Sequence, residues 1–588
     1  MSDAPAWVRR FTATRLGFPT WADAWPDRLA IVTNRSGSWQ VWAHDLATGS
    51  WRRASDEPVG VESARVLPDG RIAWFQDDSG EEKGRWVAQP FEGGTIEPLF
   101  PALPTGWSLG MAMAPGGRAV AGLEVAGEYR VYLVDGESEN VLYASTTPAG
   151  VGCEWPDGLG GLSPDGRFAV IRHTEHGDIL RPALRIVETA TGGAIADIDD
   201  QPRRLEAGPW SEDGIRFAFT NELADRARPS VWDAGSRERF DLDVDLPGDV
   251  YPVQWYADGD LLVRHEFEAR AQLYRRHPSG ERTLVADPMG DIEDARLRPG
   301  GVAWLRASDG TAAHRTVDAS GTVAFASLDP EPPGGRLLRD VWTTNPRGDR
   351  IHTLLATPDG DGPFPLVLSV HGGPEWHERH AWSAETLAYV DAGYAVALPN
   401  YRGSTGYGVA FREALVGDVC HCESGDLMSV LDELIAQAVA DPDRIFWSGW
   451  SWGGCLACFN AGVNPKRWRA IFAGIPAGEF VAAHHASAPE LQAWDVAVYG
   501  GHPEEVPDAY GRSNPMTYVG AVTTPIIVVA GEHDPRCPIE GVTPWIDAVR
   551  ANGVEVEVHT YPAGHHANAM ADQVRHLQAV LDFFSRHG

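Results

Sequence analysis

Lysine is almost missing from this chain: of 588 residues only Lys83 and Lys466 carry it, and arginine supplies the remaining cations. Cation as a whole is short. Forty-nine Lys and Arg stand against 82 Asp and Glu, for a formal net charge of −33. A nucleic-acid binder needs surplus cation to displace counterions from phosphate, so this balance excludes that class and an anionic membrane surface with it. No run of about 18 apolar residues occurs, so no transmembrane helix is expected. The first residues, Met1-Ser2-Asp3-Ala4-Pro5-Ala6-Trp7, lack a cationic segment followed by an apolar one. They do not read as a signal peptide, and the expected compartment is the cytoplasm. Cysteine is scarce too. Cys153, Cys420, Cys422, Cys455, Cys458 and Cys537 read as free thiols in a chain of this length. The pairs Cys420/Cys422 and Cys455/Cys458 have ligand-like spacing, but the second pair lies in a small, apolar stretch. The reading is packing residues, with no metal and no cofactor.

Glycine (64) and tryptophan (23) are plentiful, which suits short strands and tight turns. A turn marker recurs along the first half: Trp25-Pro26-Asp27, Pro68-Asp69-Gly70, Pro115-Gly116-Gly117, Pro164-Asp165-Gly166, Glu212-Asp213-Gly214, Ala257-Asp258-Gly259 and Pro299-Gly300-Gly301. The spacing is roughly 42–49 residues, with strands such as Arg71–Phe75 and Arg167–Ile171 following the turns. Proline early and glycine late are what a tight turn demands. Seven markers at this period imply a seven-bladed β-propeller over residues 22–327, preceded by an extension (1–21) expected to pack near the second domain. Near Asp329-Pro330-Glu331-Pro332-Pro333-Gly334-Gly335 the period stops.

From 328 to 588 apolar strands alternate with amphipathic helices. Leu366–Val370, Tyr394–Leu398, Arg444–Ser448 and Ile526–Ala530 read as strands. Leu427, Val430, Leu431 and Leu434 share one helical face. The pattern is an α/β domain with a mostly parallel sheet. Between one strand and the next helix lies Gly449-Trp450-Ser451-Trp452-Gly453-Gly454, a G-x-S-x-G nucleophile elbow in the setting the motif requires. Ser451 is the candidate nucleophile. A serine hydroxyl needs a base, and the base an orienting carboxylate. Asp534, just past a strand, is the candidate acid, with Glu532 as the alternative. Two adjacent histidines compete as base: Gly564-His565 favours the first, counting from Tyr561-Pro562 favours the second, and His566 is chosen. The Trp452 amide and the loop His371-Gly372-Gly373-Pro374 are candidate oxyanion donors. His377-Glu378-Arg379-His380 misses the zinc-helix spacing by one residue, and no P-loop exists. His484, His485 and His559 show no defensible ligand set.

These motifs, with Asn400–Gly408, Asp441–Arg444, Tyr499-Gly500-Gly501, Ser513-Asn514-Pro515 and Gly531–Pro538, make the chain resemble the prolyl oligopeptidase family of serine peptidases. Its acylaminoacyl-peptidase and bacterial aminopeptidase branch is most similar. The resemblance implies a propeller followed by an α/β-hydrolase domain, a Ser451–Asp534–His566 triad, and Trp452 and Gly373 amides as oxyanion hole. Arg536 and His371 become substrate-binding candidates. Trp452 departs from the family's tyrosine, and His565 stands where a small residue is usual. The implied activity is hydrolysis of short peptides through an acyl-enzyme, most simply as an exopeptidase, with the propeller filtering substrates by size. Relatives of this kind form homo-oligomers. A small-molecule esterase or amidase on the same site is the alternative, and a noncatalytic scaffold the third reading. A free substrate amine would need a carboxylate, for which Glu128, Glu266, Glu268 and Glu479 are candidates.

Overall fold

The computed structural model describes residues 4–136, 138–153, 159–325 and 331–588. The expected domain boundary, between 327 and 328, and the first residues of the linker lie outside them.

Residues 20–318 form antiparallel meanders. Four-stranded sheets cover 20–53, 149–198, 205–241 and 249–286, and a three-stranded one covers 291–318. The eight-stranded sheet over 64–145 is two meanders joined where Lys83 and Gly84 pair with Trp107 and Gly106. The turn chemistry explains the repeat. Gly70, Gly117, Gly166, Gly214, Gly259 and Gly301 each return their N–H to the carbonyl three residues earlier, at 2.8–3.0 Å. All six have φ between 69° and 92°, which glycine adopts without cost. The first marker behaves differently. The turn falls on Asp23-Ala24, and Pro26 lies within the strand Trp25–Thr33. The ladder to the next strand starts only at Arg28, so no rung there needs a Pro26 N–H. Side chains join the first meander to the last: Trp21 meets Trp304 edge-on at 5.5 Å, and the Arg296 and Arg298 guanidiniums cover its ring at 4.9 and 4.7 Å.

The second domain is one eight-stranded sheet. In spatial order its strands are Arg339–Thr344, Arg350–Ala356, Ala395–Asn400, Phe364–Val370, Ala440–Trp450, Ala470–Gly474, Ile526–Gly531 and Val556–Tyr561. The first two are antiparallel to their neighbours, and the rest run parallel. The central strands are apolar on both faces because helices cover both. Trp452–Val463 buries Cys455, Leu456, Cys458 and Phe459 on one face, against the Cys420 and Cys422 side chains. Met570–His587 and Ala384–Asp391 cover the other, with Tyr389, Leu577 and Phe584. Cys420, Cys422, Cys455 and Cys458 are free thiols buried in this core. Among the described residues no helix is long and apolar enough to cross a membrane.

The two domains meet through charge. Arg412 and Glu222, 6% and 4% exposed, form a bidentate pair. Arg204 adds bonds to Glu222 (3.0 Å) and Glu375 (2.7 Å), and Arg181 meets Glu413 at 2.8 Å. The N-terminal helix Ala6–Thr12 lies against Ala384–Asp391 and the C-terminal helix, with Arg10 paired to Asp391.

Candidate active site

Ser451 sits at the end of the central strand with φ 54° and ψ −120°, a strained conformation for a non-glycine residue. The flanking glycines leave no room for alternatives. A Cβ on Gly449 would lie 2.4 Å from Gly453 O, one on Gly453 2.0 Å from Val370 O, and one on Gly454 2.5 Å from Gly474 O. Strand, turn and helix are thus pressed together until the hydroxyl projects. The Trp452 amide opens the following helix and has no intrahelical acceptor.

The structure brings three side chains into line. His565 Nε2 is 3.1 Å from Ser451 Oγ, and His565 Nδ1 is 2.8 and 3.0 Å from the Asp534 carboxylate oxygens. An ionised carboxylate only accepts, so the proton sits on Nδ1 and Nε2 is left to accept from the serine. Asp534 Oδ1 also takes the amides of Arg536 (2.8 Å) and Cys537 (2.9 Å). Burial pushes this carboxyl up, but the hydrogen bond and charge of His565 and the two amides outweigh it, holding the group below the usual carboxylate range.

The choice of His566 is corrected here. Its side chain is 53% exposed and its Nε2 lies 3.9 Å from Glu62, whereas the His565 side chain is 4% exposed. The two rings lie edge to face with centroids 5.1 Å apart, and packing decides which of them reaches Ser451. Gly564 rests on Gly80 of the propeller, where a Cβ would fall 1.8 Å from Gly80 O. Glu532, the alternative acid, accepts from Thr560 on the exposed surface instead.

Gly372 closes on the elbow: its Cβ position is 3.1 Å from Ser451 Cβ and 3.6 Å from Trp452 N. Gly373 follows with φ 117°, open only to glycine. His371 is held rather than free. It stacks on Tyr401 at 4.3 Å, and its ring nitrogens lie 2.7 Å from Gly372 O and 2.9 Å from Ser404 Oγ. Burial pushes its pKa down to about 3. A buried, engaged imidazole supports the glycine loop and does not reach for substrate. Arg536 lies on the wall beside Asp534, paired with Glu82 of the propeller at 2.7 Å.

All of this faces a chamber of 2960 Å³ between the two domains. Of the four acids considered for an amine, only Glu266 lines it, bonded to Arg264 at 2.8 Å. Glu479 caps the helix Phe480–Ala486, and Glu128 pairs with Arg130. Two clusters of metal-ligand type occur among the described residues, Asp340/His352/His380 and His173/His176/Asp197. In each, an arginine already holds the carboxylate: Arg270 on Asp340 at 2.8 Å and Arg185 on Asp197 at 2.5 Å. The first cluster also absorbs His380 of the near-zinc motif.

Meanders capping an α/β-hydrolase sheet, with an elbow serine lined up on a histidine and an aspartate, define a propeller-plus-α/β-hydrolase architecture. The relationship is explicit in the second domain: residues 380–588 match the prolyl oligopeptidase family, Peptidase_S9, and the chain carries a domain of that family. The uncharacterized peptidase YuxL of Bacillus subtilis is 27% identical over 352 residues, 58% of this chain and 50% of that protein. The acylamino-acid-releasing enzyme of Arabidopsis thaliana is 31% identical over 211 residues, 34% of this chain and 27% of that enzyme. The matched stretch thus spans half or less of these relatives' length. A crystal structure of puromycin hydrolase superposes with a TM-score of 0.82 at 21% identity, covering 99% of this chain and 96% of that one. That likeness shows a shared fold of propeller and hydrolase domain.

Proposed function

We propose that the chain is a serine peptidase that cleaves short peptides or aminoacyl amides through an acyl-enzyme, as an exopeptidase of aminopeptidase or acylaminoacyl-peptidase type. The observation that carries this reading is the unbroken line Ser451 Oγ–His565 Nε2–Nδ1–Asp534, with Ser451 and His565 on the wall of the chamber between the domains. In it, Ser451 Oγ attacks the scissile carbonyl while His565 Nε2 takes the hydroxyl proton and returns it to the departing amine. Water then repeats the sequence on the ester. Such a base contributes roughly 10²–10⁴-fold. The amides of Trp452 and Gly373 receive the oxyanion, each worth about 3–4 kcal/mol. Asp534 fixes the ring tautomer and stabilises the imidazolium.

Seven meanders support a seven-bladed propeller over 22–327 and a catalytic domain over 328–588. The chamber exceeds the roughly 300–1,000 Å³ of an ordinary ligand pocket, so peptides of several residues fit. The domains enclosing it bar folded proteins. The free thiols Cys420, Cys422, Cys455, Cys458 and Cys537 suit work in a reducing cytoplasm.

The test is turnover of peptides, acylated peptides and aminoacyl amides, with fluorophosphonate labelling. Amide turnover and labelling that both vanish in Ser451→Ala support the reading. Ester turnover without any amide turnover contradicts it.

A further inference from the structure

Nine arginines line the chamber between the domains, and eight of them lie within 4.0 Å of a carboxylate oxygen, as Arg172 does on Glu490 at 3.1 Å and Arg379 on Asp291 at 3.7 Å. Arg15 is the exception: among the described residues no Asp or Glu pairs with it. In a chain with 82 acids to 49 cations, that is the less expected state for an arginine. The segment that carries it is fixed. Arg15 N donates to Asn34 Oδ1 at 2.7 Å, and Arg306 Nε donates to Leu16 O at 2.8 Å.

The Arg15 guanidinium is held over two rings of the chamber wall, Trp39 at 5.4 Å and Phe11 at 5.8 Å, a contact that orients a cation without neutralising it. Among the described residues only its Nη2 finds an acceptor, the neutral Gln573 Oε1 at 3.2 Å, and Nε is buried with none. A freely hydrated arginine would keep its ordinary pKa. Burial instead pulls this one down to about 10, with no acid to offset it. Arg306, whose own partner is Glu293, adds a repelling charge nearby. The wall here is short of one anion.

Arg15 adjoins the loop that carries His565. Gln573 accepts from Arg15 and donates its own amide to Ala567 O at 2.8 Å, two residues past His565. An imidazole that returns a proton to the departing amine puts the leaving half of the substrate on its own side of the nucleophile. We propose that Arg15 binds a carboxylate on that leaving half, in the first place the free C-terminus of a short peptide, through the open edge of its guanidinium. The assignment rests on Ser451 being the nucleophile and His565 its base. A carboxylate matches the guanidinium fork bidentately. Because Arg15 is fixed, the contact reads peptide length: one length sets its terminus on the guanidinium, shorter peptides fall short and longer ones must buckle.

Binding tests this without turnover. In Ser451→Ala protein, calorimetry compares Ala-Phe-Ala, Ala-Phe-Ala-Ala and Ala-Phe-Ala-Ala-Ala, each as the free acid and as the C-terminal amide. At one length the acid is expected at least tenfold tighter than its amide. Adding Arg15→Gln should bring the two within twofold, and the amide's own affinity reports that the chamber is intact. Arg15→Lys keeps the cation and should keep a several-fold preference, which decides the matter if the glutamine variant does not fold. An amidated peptide of the preferred length ending in glutamate separates the two sources of carboxylate. Weak binding assigns Arg15 to the terminus, whereas binding as tight as the acid assigns it to an acidic side chain and overturns the length reading. Acid and amide within twofold at every length overturn the proposal, as does a preference that survives Arg15→Gln, or no binding by any peptide. Absence of turnover with Ser451 intact would count against the peptidase reading alone and leaves these ratios readable.

Discussion

Replacing Gly564 by alanine isolates what the propeller does for His565. The backbone at Gly564 has no positive φ, so alanine meets no conformational penalty there. The whole cost is steric. The new Cβ would fall 1.8 Å from Gly80 O and 2.7 Å from Gly80 C, in a loop whose amides Ser79, Gly80 and Glu82 are pinned by the Asp77 carboxylate. Real Cβ contacts stay beyond 3.0 Å, so the two loops must part by about 1.2 Å, and His565 is the next residue along. A displacement near 1 Å costs on the order of 10²-fold in rate, and overpacking of this kind costs about 1–3 kcal/mol in stability. Steady-state kinetics on a chromogenic amide, with a denaturant melt, should therefore show kcat down about 100-fold and a smaller change in KM. The Ser451–His565 distance should lengthen in a structure of the variant. A kcat within twofold of the parent, at unchanged stability, refutes the claim that the Gly80 contact places the base.

Two further outcomes follow from buried groups. Glu222→Ala strips the shared partner from Arg412 and Arg204 at the domain interface. Breaking a buried pair costs about 3–5 kcal/mol, and Glu375 and Glu413 remain within 3.5 Å of Arg412, so about 3 kcal/mol is expected in urea unfolding, less in Glu222→Gln. Stability should also fall on acidification. Burial pushes His371 down to about 3 and His352, His377 and His576 to about 4. Between pH 6.5 and 4 the unfolded chain therefore binds more protons than the folded one. That stabilisation is complete above pH 6.5 and is lost progressively toward pH 4, so the Tm should drop across this window. A flat Tm from pH 7 to 4.5 contradicts the burial assigned to these rings.

The sequence makes some of this visible for definite reasons. Pro164-Asp165-Gly166 and its counterparts advertise turns because each residue has a backbone task that few others perform. Gly449 and Gly453 are equally readable, since close approach of strand and helix tolerates no side chain. The Trp25-Pro26-Asp27 marker misleads because proline also suits a strand beyond its last rung. The His565/His566 choice cannot be settled locally. What orients the pair is Gly80, almost 500 residues away in the chain, and a contact of that range leaves no periodicity. The same holds for the Arg412–Glu222 pair, which exists only once the two domains are docked.

The histidine between Ser451 and Asp534 links the hydroxyl to the carboxylate. Rates of His565→Ala and His566→Ala, measured side by side with fluorophosphonate labelling of Ser451, test it most directly. The geometry predicts a loss of at least 10³-fold in kcat and of labelling for His565→Ala, and at most a few-fold change for His566→Ala. Loss in His566→Ala with activity retained in His565→Ala would contradict it.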